Sequence, residues 1–461
     1  MSKVRKDKIA SAKLSAPRLL KSYSANAIAC ELHPDFQDLT ITDIHNEAPG
    51  INTYTLSLKN SKGGPFHTKA KPAYFSAGQY LSVSFDIGSV HVTRPFSISS
   101  SPSEAQDGYY KITIKQNPNG FVTDHISKNW EIGTHVRVSA PLGTFTYQRL
   151  RDARTVIGIA GGSGITPFHS MAKAIACGEE DFNLILLYGT RTMADAAFEE
   201  EFKRIEASCP KFRLINVLSD EKPPVVTEPV CDVSACGNLA CDDSVSNGHV
   251  HADSVHADSA CEIFASGDTE DTHAKKASLA SKILGTITGK IKSEPQKDAC
   301  ARPALEYGFI NAELIRKYAP VDGDYSIFLC GPRAMYDFAD KEIEKLHIRS
   351  KFVRHEFFSG LKNPNPKNMY ILTVKTGTDT WKVAANSDET LMVSMERTGI
   401  RVPSRCRSGL CGYCHSKLVS GEVYIPDEAN GMRAADKKYG YIHPCAAFPL
   451  SDVTLIVPPA N

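Results

Sequence analysis

The stretch "CRSGLCGYC", Cys406–Cys414, places three cysteines within nine residues, and a fourth, Cys445, follows after a further 30 residues. Gly409 and Gly412 separate the cysteines, and glycine lets a backbone turn closely round a compact group. The spacing C-x4-C-x2-C with a distant fourth cysteine is associated with 2Fe-2S clusters. Zinc is the alternative, but structural zinc sites usually carry two short cysteine pairs, and here the second is missing. The predicted cluster ligands are Cys406, Cys411, Cys414 and Cys445.

The sequence round these cysteines, "CRSGLCGYCHSKLVSGEV" and later "HPCAAFPLSDVTL", resembles the ferredoxin domain of plant-type 2Fe-2S proteins over residues 369–461. The resemblance implies a β-grasp fold. Two strand patterns, "YILTV" and "WKVAA", and a helix pattern that we predict to start at Ser387 and end at Gly399 fit it independently. The chain departs from the acidic character of free plant ferredoxins in Arg405 and Arg407. These arginines either face an acidic partner or tune the potential of the cluster.

The length and composition of the chain predict two or three globular domains. A chain of 461 residues exceeds what one core supports, about 250–300 residues. Its apolar content of 42% and charged content of 23% are typical of globular proteins. The formal net charge of +1 gives no bulk attraction to nucleic acid, which excludes that partner class on charge. Thirteen cysteines, an odd number without a secretion signal, argue against a disulfide framework.

No targeting or membrane segment is recognisable. No apolar run reaches the roughly 20 residues that a membrane span needs. The start, "MSKVRKDKIASAKL", is basic but has no apolar signal core, and we interpret residues 1–37 as a solvated basic arm. We therefore expect a cytoplasmic protein without a membrane span.

Two strand rhythms divide the middle of the chain. Residues 38–150 alternate in short segments separated by Gly, Pro and Asp, which predicts an antiparallel barrel. Residues 151–360 alternate strand and helix, which predicts a parallel α/β sheet of Rossmann-like type. The Pro- and Asn-rich segment 361–368 is predicted to be the linker to the ferredoxin domain. The fold class is therefore a multidomain α+β protein.

A low-complexity insertion interrupts the α/β domain at about 220–305. It contains a tandem "HADSVHADSA" and cannot bury much apolar surface, so we expect it to be disordered or loosely folded. Metal binding is the alternative role. The residues for that role would be Cys231, Cys236, Cys241, His249, His251 and His256.

Two short segments of the barrel predict a flavin site. In "RPFSISS", Arg94 supplies a fixed charge for a phosphate, Phe96 a flat surface for an aromatic ring, and Ser97 a hydrogen bond. In "GFVT", Gly120 lets backbone amides approach a pyrophosphate and Thr123 adds a hydroxyl.

Two segments of the α/β domain predict a nicotinamide site. "GIAGGSGITPFHSM" runs from a buried strand through a glycine-rich turn into a helix with Pro167 in its first turn, which favours binding of a diphosphate. "CGPRAM" ends another parallel strand, where ligands of open α/β sheets bind. Arg191 follows the strand that faces the adenosine ribose. A single arginine beside the acidic "FEEEF" favours NADH over NADPH.

Together with "HEFF" at 355–358, these segments resemble the ferredoxin–NADP reductase superfamily. The resemblance implies FAD, with FMN as the alternative flavin, and either NADH or NADPH. It places Ser97 at the reactive edge of the flavin and both Thr166 and Cys330 beside the nicotinamide. The implied flavin residues are Arg94, Pro95, Phe96, Ser97, Gly120, Thr123, Glu356 and Phe358. The alternative role for Phe358 is that of an ordinary residue of the hydrophobic core. The coenzyme residues are Gly161, Gly162, Gly164, Ile165, Thr166, Pro167, Arg191, Cys330, Gly331 and Pro332.

The domain order resembles the reductase component of multicomponent oxygenases. NAD(P)H gives up two electrons as a hydride and a 2Fe-2S cluster accepts one, so a flavin must stand between them. We therefore predict an NAD(P)H-dependent oxidoreductase that passes single electrons to a protein acceptor such as an oxygenase. Two alternatives are an electron-transfer subunit of a larger dehydrogenase complex, which the 30-residue gap before Cys445 disfavours, and a redox-sensing module.

Overall fold

The computed structural model describes residues 3, 6, 7, 33–58, 71–223, 304–321, 323–358 and 361–459. Most of the predicted insertion, including its cysteines and histidines, lies outside these ranges, and so does most of the predicted basic arm. Among the described helices, none combines the length and the apolar character needed to traverse a bilayer.

The N-terminal part is a six-stranded antiparallel barrel. Its strands are β1 (Phe36–Ala48), β2 (Ile51–Ser57), β3 (Tyr80–Ile87), β4 (Val90–Ser97), β5 (Tyr109–Lys115) and β6 (His135–Ser139), and their order is β4-β3-β6-β1-β2-β5. The two outer strands meet through a bridge between Ile98 and Ile112, so the sheet closes on itself. Two helices, α1 (Pro102–Asp107) and α2 (Phe121–Asn129), flank β5. The predicted antiparallel barrel is confirmed.

The second part is a parallel sheet with helices on both faces. Its strands are β7 (Thr155–Gly161), β8 (Asn183–Thr190), β9 (Phe212–Leu218), β10 (Ala304–Tyr307), β11 (Tyr325–Cys330) and β12 (Val353–Glu356), in the order β10-β9-β8-β7-β11-β12. Its helices are α3 (Thr166–Ala176), α4 (Glu199–Ser208), α5 (Ala312–Tyr318) and α6 (Arg333–Glu344). The strand order reverses between β7 and β11, and ligands of such sheets bind at that point. The predicted Rossmann-like architecture is confirmed.

The C-terminal part packs one helix on a five-stranded mixed sheet, as the β-grasp fold requires. Its elements are β13 (Met369–Thr376), β14 (Asp379–Asn386), α7 (Leu391–Arg397), β15 (Ser416–Ser420), β16 (Val423–Tyr424), α8 (Ala434–Lys438), β17 (Tyr441–Ile442), β18 (Phe448–Pro449) and β19 (Val453–Ile456). The sheet order is β14-β13-β19-β15-β17. The predicted third domain fold is thereby confirmed.

Helix α7 begins later than its sequence pattern predicts. Thr390, not Ser387, is the N-cap, and its hydroxyl accepts a hydrogen bond from the Val393 amide at 3.5 Å. Ser387 is used elsewhere: its hydroxyl accepts from the Asn368 amide and donates to the Pro366 carbonyl. The prediction of Ser387 as N-cap was wrong because the segment before β13 takes up that hydroxyl.

Two polar contacts fasten α3 to the barrel. His169 Nδ1 lies 2.8 Å from the Ser99 carbonyl oxygen, and the Ser170 hydroxyl donates to the Ser100 carbonyl at 2.7 Å. Both side chains are buried. The helix that follows the glycine-rich turn is therefore held in a fixed position against the strand end that carries Ser97.

Arg354 of β12 takes part in a buried ion pair and also contacts the barrel domain. Its guanidinium lies 2.8 Å from the Asp152 carboxylate, and its Nη1 donates to the carbonyls of Thr144 and Thr146. The side chains of Arg354 and Asp152 are 5% and 0% exposed. Arg354 therefore links β12 to the barrel domain, and its loss would leave the buried Asp152 without a cation.

Replacing Arg354 by Met is expected to lower the free energy of unfolding by about 3–5 kcal/mol, since Asp152 would stay buried without a partner. Urea unfolding followed by circular dichroism measures the change. Arg349→Met is the matched control, because Arg349 pairs with Asp324 at 3.3 Å on the surface. Its cost should be about 0–1 kcal/mol. Equal costs for the two variants would contradict the structural role of the buried pair.

Candidate functional site

A cavity of about 610 Å³ lies where the barrel meets the parallel sheet. Its walls come from β4, the end of β5, the start of α2, the turn after β7, and the ends of β11 and β12. Most of the residues predicted for the flavin and the nicotinamide line it together. They are Arg94, Pro95, Phe96, Ser97, Gly120, Thr123, Gly161, Gly162, Gly164, Thr166, Cys330, Gly331, Pro332, Glu356 and Phe358.

Three of the predicted residues do not line this cavity. Ile165 is buried in the core below the glycine-rich turn, and Pro167 is buried in the first turn of α3. Their side chains shape the turn without facing the cavity. Arg191 lines a second cavity of about 480 Å³ that begins at the same turn and extends past the ends of β8 and β9.

The turn after β7 approaches the end of β11 closely. A Cβ atom on Gly164 would lie 2.1 Å from the carbonyl oxygen of Cys330, so no other residue fits there without movement of the backbone. Gly162 adopts a φ of 52°, which also favours glycine. The Thr166 hydroxyl donates to the Ser163 carbonyl at 3.1 Å and closes the turn. These contacts bring the start of α3 to the cavity.

The pKa values of two titratable groups at the cavity are raised. Burial raises the pKa of the Glu356 carboxyl well above its usual range, and the nearby Cys406 raises it further. Glu356 Oε2 is buried without a hydrogen-bond partner among the described residues. Burial also raises the pKa of the Cys330 thiol, so Cys330 is not a thiolate nucleophile. An unpartnered carboxyl oxygen facing a cavity of this size fits a polar ring system such as a flavin.

Sequence reasoning missed ten of the residues that line this cavity, among them Tyr336 and Lys115. Tyr336 lines it, and its hydroxyl accepts from the Gly331 amide at 3.1 Å. Lys115, the last residue of β5, lines both cavities. The position of Lys115 at a strand end was visible in the sequence, but only the fold shows that this end faces the glycine-rich turn.

The second cavity has a balanced pair of charges at its outer end. Arg191 Nε lies 2.8 Å from the Asp220 carboxylate, and the hydrogen bond raises the pKa of Arg191 and lowers that of Asp220. Asp195 also lines this cavity. Its carboxylate accepts from the amide and the hydroxyl of Thr192 at 3.2 and 2.8 Å. The single arginine that the sequence predicts for the coenzyme, Arg191, therefore has the carboxylates of Asp220 and Asp195 in its surroundings.

The four predicted ligand cysteines lie round one loop. The Cys406 sulfur accepts from the amides of Ser408 and Cys411 at 3.5 and 3.4 Å, and the sulfurs of Cys414 and Cys445 are 3.4 Å apart. Hydrogen bonds from the thiols of Cys411 and Cys445 lower the pKa of Cys406. Inward-facing amides and converging sulfurs fit a 2Fe-2S cluster.

Two glycines allow the backbone shape of this loop, and one of its cysteines is exposed. Gly409 and Gly412 have φ values of 76° and 73°, which side chains rarely adopt. A Cβ on Gly409 would also lie 2.8 Å from two alanine methyl groups. Cys411 is exposed, whereas the other three cysteines are buried. Among the four cysteines, Cys411 is therefore the residue nearest to the surface of the domain.

The two arginines beside the cysteines do not form an open basic face. The Arg407 side chain is only 9% exposed and is paired with Glu396. Arg405 stacks over the ring of Tyr413, with 3.9 Å between its guanidinium carbon and the ring centroid. Both positive charges are therefore directed at neighbours within the chain.

Strand β3 lies between the cavity and the cysteine loop. The Tyr80 ring packs edge-to-face on Phe358, with centroids 5.1 Å apart. Ser82 lies two residues after Tyr80 on the same face of β3, and its hydroxyl donates to the Arg405 carbonyl at 3.2 Å. Burial raises the pKa of Tyr80, and the negative charges of Cys406 and Cys411 raise it further. The cysteine loop therefore packs on β3, and β3 in turn contacts Phe358, which lines the first cavity.

Family models match all three parts of the chain. The models are described as "Oxidoreductase FAD-binding domain" for residues 53–147, "Oxidoreductase NAD-binding domain" for 159–227 and "2Fe-2S iron-sulfur cluster binding domain" for 375–450. The chain belongs to the ferredoxin–NADP reductase superfamily. As a member of this superfamily with a 2Fe-2S domain, it is an NAD(P)H-dependent oxidoreductase that transfers electrons through FAD to the cluster.

Individual relatives match most of the length of this chain. The glycine betaine monooxygenase reductase subunit of Chromohalobacter salexigens is 24% identical over 83% of this chain and 87% of that protein. The NADH oxidoreductase HCR of Escherichia coli is 20% identical over 83% of this chain and 88% of that protein. The structure of phthalate dioxygenase reductase superimposes with a TM-score of 0.53 at 19% identity, covering 92% of this chain and 98% of that one. This last likeness establishes a common fold.

Replacing Cys414 by Ser is expected to remove the cluster from this reductase, because a hydroxyl is a poor substitute for a thiolate ligand of iron. Iron content and the visible absorbance of the cluster measure the loss, while flavin absorbance should remain. Cys177→Ser is the matched control, since Cys177 is an exposed thiol at the end of α3. Full iron content in the Cys414 variant would count against its role as a ligand.

Proposed function

We propose that this reductase oxidises NADH and delivers its electrons one at a time, through FAD and the 2Fe-2S cluster, to an oxygenase component. The observation that carries the proposal is the packing of the cysteine loop on β3. This strand is the neighbour of β4 in the sheet, and residues 94–97 of β4 line the first cavity. In this proposal the flavin domain spans 38–150, the nicotinamide domain 151–360 and the ferredoxin domain 369–461, with the linker at 361–368. No separate carrier domain is then needed between flavin and cluster.

The flavin is assigned to the first cavity. Arg94 binds its phosphate by charge, Phe96 packs on a ring, and Ser97 donates a hydrogen bond at the reactive edge. Gly120 and Thr123 supply an amide and a hydroxyl for the remaining phosphate. FAD supplies the chemistry that the side chains lack, because it accepts a hydride and gives up single electrons.

The nicotinamide is assigned to the same cavity beside the glycine-rich turn. Gly161, Gly162 and Gly164 allow close backbone approach, and the start of α3 faces the diphosphate. Thr166 and the neutral Cys330 flank the ring, with Gly331 and Pro332 continuing that wall. The buried side chains of Cys330 and Glu356 would keep water away from the face of a bound nicotinamide.

The cluster is assigned to Cys406, Cys411, Cys414 and Cys445. A cluster held by these cysteines would receive electrons from the side of β3, where Cys406 and Cys411 lie near Tyr80. Cys411 is an exposed residue, so an acceptor could approach the cluster there. That the acceptor is an oxygenase is supported by relatives named as monooxygenase and dioxygenase reductases. A cytoplasmic location, where NADH is available, completes the proposal.

The preference for NADH rests on the charges of the second cavity. The 2′-phosphate of NADPH needs unpaired positive charge, but Arg191 is already paired with Asp220. Asp195 adds a further negative charge to the same cavity. A ribose hydroxyl, by contrast, can donate a hydrogen bond to either carboxylate.

Asp220→Asn is expected to shift coenzyme preference toward NADPH, since the change frees Arg191 for the 2′-phosphate. The ratio of kcat/KM for NADPH to that for NADH should rise roughly tenfold. Steady-state reduction of ferricyanide measures the ratio. Asp181→Asn is the control, because Asp181 is a surface carboxylate of the same domain paired with Lys211 at 2.6 Å. An unchanged ratio in the Asp220 variant would exclude this pair as the source of the preference.

Turnover with a one-electron protein acceptor tests the proposed function as a whole. The wild-type reductase should reduce many equivalents of cytochrome c per molecule with NADH. The Cys414→Ser variant should still bleach its flavin with NADH but reduce cytochrome c far more slowly. A wild-type protein that is reduced once and then stops would instead support the redox-sensing alternative.

A further inference from the structure

Arg94 has no carboxylate partner of its own within the described part of the chain. It lines the flavin cavity, and its Nη1 donates to the Thr93 carbonyl at 2.8 Å. Burial and the positive charge of Arg407 lower the pKa of Arg94 to about 10, while Glu396 acts in the opposite direction. A half-buried guanidinium without a carboxylate partner is stabilised when an anionic ligand binds to it.

The surroundings of Arg94 come from the ferredoxin domain. Helix α7 packs against β4, the strand that carries Arg94. The hydroxyls of Thr93 and Ser404 lie 2.5 Å apart at this interface, and both residues are buried. Glu396 is on α7, and Arg407 is in the cysteine loop. The flavin domain alone therefore does not determine the charge round the proposed phosphate site.

Glu396 and Arg407 form a buried, two-pronged ion pair. Arg407 Nη2 donates to Glu396 Oε2 at 2.8 Å, and Nη1 contacts the other carboxylate oxygen. Their side chains are 6% and 9% exposed, in that order. Such parallel hydrogen bonds occupy both oxygens of the carboxylate in the plane of the guanidinium.

The pairing decides which positive charge remains for a ligand. Two arginines and one glutamate give this group a net charge of +1. Because Glu396 is held by Arg407, the uncompensated charge is that of Arg94. Without Arg407 the buried Glu396 would be left uncompensated. It would then be drawn to Arg94, whose pKa it already influences.

We propose that Arg407 is a positioning residue for flavin binding, which holds Glu396 in an ion pair and so leaves Arg94 free to bind the flavin phosphate. The inference rests on the flavin site of the proposed function and adds a residue from another domain to it. Arg407 directly follows Cys406 and adopts a φ of 62°, a conformation fixed by the cysteine loop. The loop that holds the cluster thus also determines the charge at the flavin phosphate.

The test compares four full-length proteins with their clusters loaded: wild type, Arg407→Gln, Glu396→Gln and the double variant. Each flavin-depleted protein is titrated with FAD, FMN and riboflavin, and quenching of flavin fluorescence gives Kd. Glutamine keeps the shape and hydrogen-bonding capacity of both side chains while removing their charges. Riboflavin lacks the phosphate and therefore reports contacts other than the one with Arg94.

Arg407→Gln should weaken binding of FAD and FMN roughly tenfold, because Glu396 would neutralise Arg94. Riboflavin binding should not change. The double variant should regain nearly the wild-type Kd. It lacks both the Glu396 carboxylate, which would neutralise Arg94, and the Arg407 guanidinium, which pairs with that carboxylate. Glu396→Gln alone should bind FAD at least as tightly as wild type.

Three results would overturn the inference: an equal loss for riboflavin, a double variant as weak as Arg407→Gln, or weaker FAD binding by Glu396→Gln. The last result decides the question even if Arg407→Gln does not fold. A wild-type protein that binds no flavin would contradict the proposed function itself.

Discussion

The packing of the ferredoxin domain on the β3–β4 hairpin is the constraint on which the other sites depend. Residues 94–97 of this hairpin line the first cavity, and the hydroxyls of Thr93 and Ser82 contact residues 404 and 405. Because the same two strands serve both sites, the distance between flavin and cluster is set by hydrogen bonds across one β-hairpin. A loose tether between domains could not hold two redox centres at a fixed separation.

Buried ion pairs of this reductase lie within single domains, at the places where a neighbouring domain packs. Arg354 pairs with Asp152 and also donates to two carbonyl groups of the barrel domain. Glu396, which pairs with Arg407, is on α7, the helix that packs against β4. A buried pair adds little net stability, but loss of one partner is costly. At the first cavity, burial raises the pKa of both Glu356 and Cys330.

Much of the fold could be predicted from the sequence because its signals are local. Alternating strands, the glycine-rich turn and the cysteine spacing each depend on a few neighbouring residues, and all three domain types followed from them. Local signals failed where a distant segment competed for a side chain. Ser387 has the composition of an N-cap, yet its hydroxyl bonds to the segment 361–368, and Thr390 caps the helix instead.

The sequence by itself determined which residue types are available to each cofactor: a phosphate-binding arginine, a flexible turn and four thiols. Only the tertiary structure decided which charges remain free to act. Arg191, Arg405 and Arg407 look equivalent to Arg94 in the sequence, but the first is paired with Asp220, the second stacks on Tyr413 and the third is held by Glu396. Electrostatic pairing depends on distances of a few ångströms between residues far apart in the chain, and spacing along the sequence carries no record of them.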